Sequence, residues 1–219
     1  STSTTTTEMI KVVTWNVLYD KQLMEQGRIA DIGTRSEVIF AQLNNFLVRT
    51  SQVAVAPCVF VFQEVTAEFL MCLMAWVQSR PGEEQWYISE RPGAGVTVDP
   101  MGQVVLSQLP FETSVLRHSR FKQTVFAHFK SQHQIIAAVH LTSDKHKKEV
   151  DVASRRADQL MEIIQTMDHD HPTTEDGRDN TTMIVVGAGN MTDTQALPLL
   201  VSLDLADCWV TLIGDEIGH

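Results

Sequence analysis

The chain predicts an α+β fold, a four-layer α/β-sandwich in which two packed, mostly antiparallel sheets are flanked by helices. Two apolar, β-branched runs, Met9–Val17 (MIKVVTWNV) and Cys58–Val65 (CVFVFQEV), are separated by a segment of helical period. Five β runs then follow one another between Trp86 and Leu141 with only short Gly, Pro or polar connections, which implies antiparallel pairing. A long amphipathic segment and one more β run complete the pattern.

Taken in order, Met9–Val17 reads as a strand buried on both faces, followed by a polar loop from Tyr19 to Gly33. Val38, Ile39, Leu43, Phe46 and Leu47 recur at helical spacing, and Thr34 with Glu37 three residues later suggests a capping box, so residues 35–49 form a helix. After the strand Cys58–Val65, a helix from about Ala67 to Gln78 follows, with Met71, Met74 and Trp76 assigned to the core. The five central runs are WYISE, GQVVLSQL, ETSVLRH, QTVFAHF and QIIAAVHL. Glu149–Met167 is amphipathic, with Val152, Leu160, Ile163 and Ile164 on one side and Arg155, Arg156 and Glu162 on the other. A last core strand at Thr182–Val186, a helical turn at Gln195–Leu200 and an apolar stretch at Ala206–Leu212 complete the reading.

At 219 residues and 43% hydrophobic content the chain supports one core, a single domain over residues 9–219 behind a Thr-rich, disordered tail at 1–8. A formal net charge of -10 excludes nucleic-acid binding through a broad basic surface, so any polyanion contact must be local. Nine of the 17 Lys and Arg residues fall between Arg117 and Arg156, a basic stripe that reads equally as a solvated surface or a phosphate-facing rim. Cys58, Cys72 and Cys208 show no CxxC spacing and fit a reducing, intracellular compartment. No apolar run approaches the roughly 18 residues that span a bilayer. Asp168, His169, Asp170 and His171 are potential metal ligands, but neighbours in a flexible loop rarely converge on one ion.

Residues able to do chemistry stand at strand ends, where layered folds present their sites. Asn16 follows Trp15 at the end of the first strand, and Glu64 ends the second. A carboxylate after VFVFQ costs several kcal/mol if buried alone, so it must face a cation or a hydrogen-bond network. His140 closes IIAAVHL ahead of Thr142 and Ser143, and Asn190 follows the last strand.

Together WN at 15–16, QE at 63–64, VVLSQLPF at 104–111, HLTS at 140–143 and VVGAGN at 185–190 resemble the endonuclease/exonuclease/phosphatase superfamily. HLTSDK, RRADQL, GAGNMTD and LADCWVTL look most like its tyrosyl-DNA phosphodiesterase-like branch. The resemblance implies that Glu64 binds Mg²⁺ and that Asn16 lies beside metal or phosphate. It also implies that His140 contacts the scissile phosphate and that Asn190 positions phosphate or nucleophile, with water attacking a phosphodiester.

Three departures stand out against the family pattern. Ala188 occupies the place of the aspartate that orients and deprotonates the attacking water, and a methyl group does neither. Leu18 stands where several branches carry an aspartate. The resemblance implies a closing segment with a further aspartate and histidine after a final pair of strands, which the sequence to His219 does not reach, and neither Asp215 nor His219 is assigned to those roles. The expectations are a Mg²⁺-dependent phosphodiesterase fold for nucleic-acid ends or phosphoryl adducts, inactive as written, with C-terminal strands lacking and sheet edges open. A partner protein covering such an edge, in a non-catalytic scaffold, is the second expectation. A small-molecule or lipid phosphatase, reading an anionic headgroup with Lys145–Lys148, is the third.

Overall fold

The computed structural model describes residues 10–18, 24–27, 30–51, 56–80, 85–90, 101–119, 122–142, 149–170, 181–190, 193–203 and 205. The N-terminal tail, Lys145–Lys148, His171, Ala206–Leu212, Asp215 and His219 lie outside these residues. Among the described residues, eight strands form two four-stranded sheets. In chain order the elements are β1 (Lys11–Asn16), α1 (Ile32–Ser51), β2 (Cys58–Val65), α2 (Ala67–Gln78), β3 (Tyr87–Ile88) and β4 (Gly102–Ser107). Then come β5 (Glu112–Ser119), β6 (Lys122–Phe129), β7 (Gln134–His140), α3 (Glu149–Asp170), β8 (Thr182–Ala188) and α4 (Asp193–Ser202).

The first sheet runs β1-β2-β4-β3 and the second β5-β6-β7-β8. Each contains one parallel pair, β1 with β2 and β7 with β8, joined through α1 and α3, and two antiparallel pairs. That arrangement is the mixed sandwich expected from helix-linked runs at the chain's two ends and hairpin-linked runs between them.

Strand alternation divides the core into an inter-sheet layer and two outer layers. Val59 and Val61 of β2, Val105, Val125, Ala127, Phe129, Ile136 and Ala138 pack between the sheets. The other face of β2 presents Phe60 and Phe62 to Phe40, Leu43, Phe69 and Trp76 of α1 and α2. Phe126, Ile135, Ala137 and Val139 face Leu160, Ile163 and Met167 of α3. Each fully buried Phe contributes about 1.5–3 kcal/mol relative to exposure, so both outer layers are held mainly by apolar burial.

Several local expectations are corrected. β1 is half-exposed, and among the described residues it pairs on one side only; the same holds for β8. The capping box at Thr34 and Glu37 is replaced by Asp31, whose Oδ1 accepts from the Thr34 backbone N–H at 2.9 Å and whose Oδ2 accepts from its hydroxyl at 2.8 Å. These bonds hold the Asp31 pKa below its ordinary value. Met71 is 58% exposed, because the buried face of α2 is Phe69, Leu70, Leu73 and Trp76. Val38 likewise points outward at 58%. Arg156, expected on the polar side of α3, is 1% exposed, since it falls one turn after Val152 on the buried face. Cys58 and Cys72 carry free thiols. No helix among the described residues is long and apolar enough to cross a membrane.

Candidate functional site

Parallel pairing brings strand ends together that are far apart in sequence. Asn16 is in register with Gln63 across β1 and β2, and Glu64 is the next residue along. The Asn16 Nδ2 donates to Glu64 Oε1 at 3.1 Å, while its Oδ1 accepts from the Leu18 backbone N–H at 2.8 Å. Gln63 is buried and donates from Nε2 to Thr14 Oγ1 at 2.9 Å, and its carbonyl accepts from Val17 N–H at 2.9 Å. These bonds lock the end of β1 against β2.

Glu64 is aimed by its backbone. Its φ of 58° lies in the left-handed region, at the register shift between Phe62 and Val65 in the β2–β4 pairing. A non-glycine residue in that region costs of order 1–3 kcal/mol and persists only where its surroundings enforce it. The bulge turns the carboxylate out of the apolar alternation of β2. Its side chain is 15% exposed, and Oε1 lies 3.5 Å from His140 Nε2.

The second sheet supplies the facing wall. His140 is in register with Ala188, so their side chains share one face of the β7–β8 pair. Leu141 N–H donates to Ala188 O at 2.9 Å, extending the ladder past β7. Asn190, with φ 53°, turns back and donates from Nδ2 to Leu141 O at 2.7 Å. Before that turn, within β8, Gly187 has a φ of 140° and its absent Cβ would stand 2.1 Å from Val139 O, so β8 approaches β7 closely only with glycine there.

Lys122, one of the nine basic residues between Arg117 and Arg156 and not among the four expected site residues, belongs to this cluster. It opens β6, and the antiparallel register with β7 runs on to set it opposite Leu141, whose carbonyl accepts from its Nζ at 3.1 Å. The signal was present in the short hairpin between QTVFAHF and QIIAAVHL, which carries the first residue of one strand to the last of the next. Burial holds the Lys122 pKa below its ordinary value, with the Glu64 charge opposing. His140 is held below 6.5 first by burial and then by the Lys122 charge, against Glu64. At neutral pH the imidazole is therefore uncharged.

Two arginines from the crossover helices brace the loops. Arg35 of α1 donates from Nη1 to Val17 O at 2.7 Å and also to Leu18 O. Arg156 of α3 donates from Nε to Thr142 O at 2.8 Å. Gln159 Oε1 accepts from both the Thr142 N–H and its hydroxyl at 3.2 Å. RRADQL thus carries the support for the His140 loop, a role its sequence alone did not disclose.

All four residues expected at the site converge. Asn16, Glu64 and His140 touch in series, and Asn190 joins them through Leu141, the residue after His140. Ala188 lies beside His140 and contributes no charge. Among the described residues no group of three or more His, Cys, Asp or Glu could hold a metal ion, and Asp168 and His169 are not part of such a group.

No protein-family model matches the chain, and no curated protein does. Solved structures do match. Humanized D. rerio TDP2, carrying 14 mutations, is similar with a TM-score of 0.55 and 14% identity, over 90% of this chain and 67% of that one. TDP2 from C. elegans gives 0.52 at 16% identity, over 84% of this chain and 49% of that one. A β-hairpin deletion mutant of beta toxin from Staphylococcus aureus gives 0.58 at 16% identity, over 90% and 73%. The chain thus spans about half to two thirds of the length of these TDP2 chains. These likenesses lie in the fold: two packed sheets flanked by helices, as in the TDP2 and beta toxin structures.

Proposed function

We propose that the chain is a phosphodiester-binding protein built on a Mg²⁺-dependent phosphodiesterase fold, with substrates among nucleic-acid ends or phosphoryl adducts and with hydrolysis suppressed by Ala188. The observation that supports it is the convergence of Asn16, Glu64, His140 and Asn190 at one end of the sandwich. Among the described residues Glu64 is the carboxylate of this cluster that would hold a metal, which suits Mg²⁺, an ion that takes one or two carboxylates and fills its octahedron with water and phosphate oxygens. Bound there, the ion would polarise a phosphoryl oxygen.

The protein's own groups have separable tasks. Asn16 orients the Glu64 carboxylate through its 3.1 Å bond. Neutral His140 supplies a ring N–H to a phosphate oxygen without adding charge. Asn190, anchored on Leu141 O, keeps a second N–H for phosphate or water. At 188 a methyl group stands on the His140 face, where an acid would take the proton of attacking water.

Ala188→Asp, made in the full chain, tests this. Mg²⁺-dependent cleavage of bis-p-nitrophenyl phosphate and of a phosphoryl-blocked oligonucleotide is expected to rise by about two to four orders of magnitude, the usual worth of a general base. No gain in a folded variant that still binds phosphate counts against the reading, and gain confined to inositol phosphates shifts it to a small-molecule phosphatase.

A second reading, a scaffold whose sheet edge is covered by a partner protein, draws support from β1 and β8. Among the described residues each pairs on one side only, and both are half-exposed. A monodisperse monomer at high concentration, with no partner retained, would argue against it.

A further inference from the structure

Resting on the phosphodiester-cleft reading, one feature goes beyond it: the cluster carries its own cation. Leu141 O accepts at once from Lys122 Nζ at 3.1 Å and Asn190 Nδ2 at 2.7 Å, so an ammonium and an amide are held side by side on one carbonyl. Each keeps N–H protons beyond that bond, three on the ammonium and two on the amide being the full complement. From the first sheet, Glu64 Oε1 lies 3.5 Å from His140 Nε2, the residue before Leu141. Lys122 is within electrostatic reach of both Glu64 and His140.

The charges nearly cancel. Glu64 is an anion, Lys122 a cation, and residue 188 contributes nothing because it is alanine. With an aspartate at 188 the same cleft would carry net negative charge and would repel a phosphate until a divalent ion entered. As the chain stands, that ion is not required to admit an anion. A half-buried ammonium opposite a carboxylate occupies the electrostatic role that the ion would otherwise fill.

We propose that Lys122, together with Asn190 on the Leu141 carbonyl, forms a metal-independent site for the phosphate of a phosphomonoester or phosphodiester. The partner chemistry is a phosphate oxygen accepting one charge-assisted bond from the ammonium and a neutral one from the amide. No covalent step is involved.

The experiment is titration of inorganic phosphate, and separately diethyl phosphate, into the full chain in EDTA, followed by ¹H–¹⁵N shifts of the Asn190 side-chain amide and ¹H shifts of the His140 ring. Binding is expected without metal, and Lys122→Gln is expected to weaken it about tenfold or more, the worth of one charged hydrogen bond. Lys122→Arg should restore most of the loss, and Lys130→Gln, an exposed residue of the 130–132 turn, should change nothing. The Arg variant keeps the test decisive if the Gln variant is poorly folded. Mn²⁺ titration supplies an independent reading, because removing the ammonium should strengthen divalent binding at Glu64. Phosphate binding that needs Mg²⁺, or that is equal in Lys122→Gln and in the parent, overturns the proposal while leaving the cleft intact. Absence of phosphate shifts at Asn190 and His140 with and without Mg²⁺ overturns the cleft reading itself.

Discussion

In the first sheet the parallel pair β1 and β2 ends in Asn16 and Glu64; in the second the parallel pair β7 and β8 ends in His140 and, two residues past β8, Asn190. Each half sets a residue with positive φ at its rim, Glu64 or Asn190. Each is braced by an arginine from the intervening helix, Arg35 or Arg156, bonded to carbonyls just beyond the strand end. The halves differ in how they are finished. The first carries an acid tied directly to its amide, whereas the second has an alanine in register with its histidine. Strand register and crossover thus set where side chains meet, and residue identity then sets whether the meeting place does chemistry. Of the two, the second half is the more deeply built, since Arg156 is 1% exposed and works with Gln159.

The sharpest way to break this parallel is at Gly187. A methyl group there would collide with the Val139 backbone, at 2.1 Å from O and 3.0 Å from C, and φ would stay at 140°. Gly187→Ala is expected to cost about 3 kcal/mol or more, from the left-handed strain plus separation of β7 from β8. A chemical denaturation midpoint within error of the parent's would show that β8 is not held to β7 as described.

The braces come next. Arg156→Leu removes the donor to the part-buried Thr142 O and is expected to cost about 2 kcal/mol. Arg35→Leu is expected to cost about half that, because Arg35 already has a buried Nε with no hydrogen-bond partner, so its removal relieves a penalty as well as losing bonds. Equal losses in urea denaturation would contradict the asymmetry between the halves.

The smallest effect is electrostatic. Since the folded pKa of His140 lies below 6.5, the unfolded chain takes up its proton first on acidification. Stability is therefore present above about pH 6.5 and declines as pH falls from there towards the folded pKa. Lys122→Gln removes a lowering influence and should raise the His140 pKa, while Glu64→Gln removes the raising one and should lower it further; burial keeps both below 6.5. Ring-proton NMR titration reads all three, and shifts of the opposite sign would place the charges elsewhere.

Much of this was legible from residue pattern because period reports burial. Cys58–Val65, Ala67–Gln78 and the start of α3 at Glu149 agree with the apolar runs, since an alternating or 3.6-residue period survives whatever surrounds it. The pattern misplaced Met71, Val38 and Arg156, each read from hydropathy when the face of the helix decided. It read β1 and β8 as interior because an apolar run looks the same whether its strand pairs on one side, as both do among the described residues, or on two.

At the site, Asn16, Glu64, His140 and Asn190 stood out because polar groups at the ends of apolar runs are costly unless they are used. Lys122 and the Arg156 brace did not, because each acts on Leu141 or Thr142 through register and helix phase. By itself the sequence determined the elements, their order and the residue types at the strand ends, all local consequences of side-chain period and burial cost. Only the tertiary structure decided that Lys122 meets Asn190 on one carbonyl and that Ala188 faces His140, because those contacts depend on strand pairing between segments up to 68 residues apart, from Lys122 to Asn190.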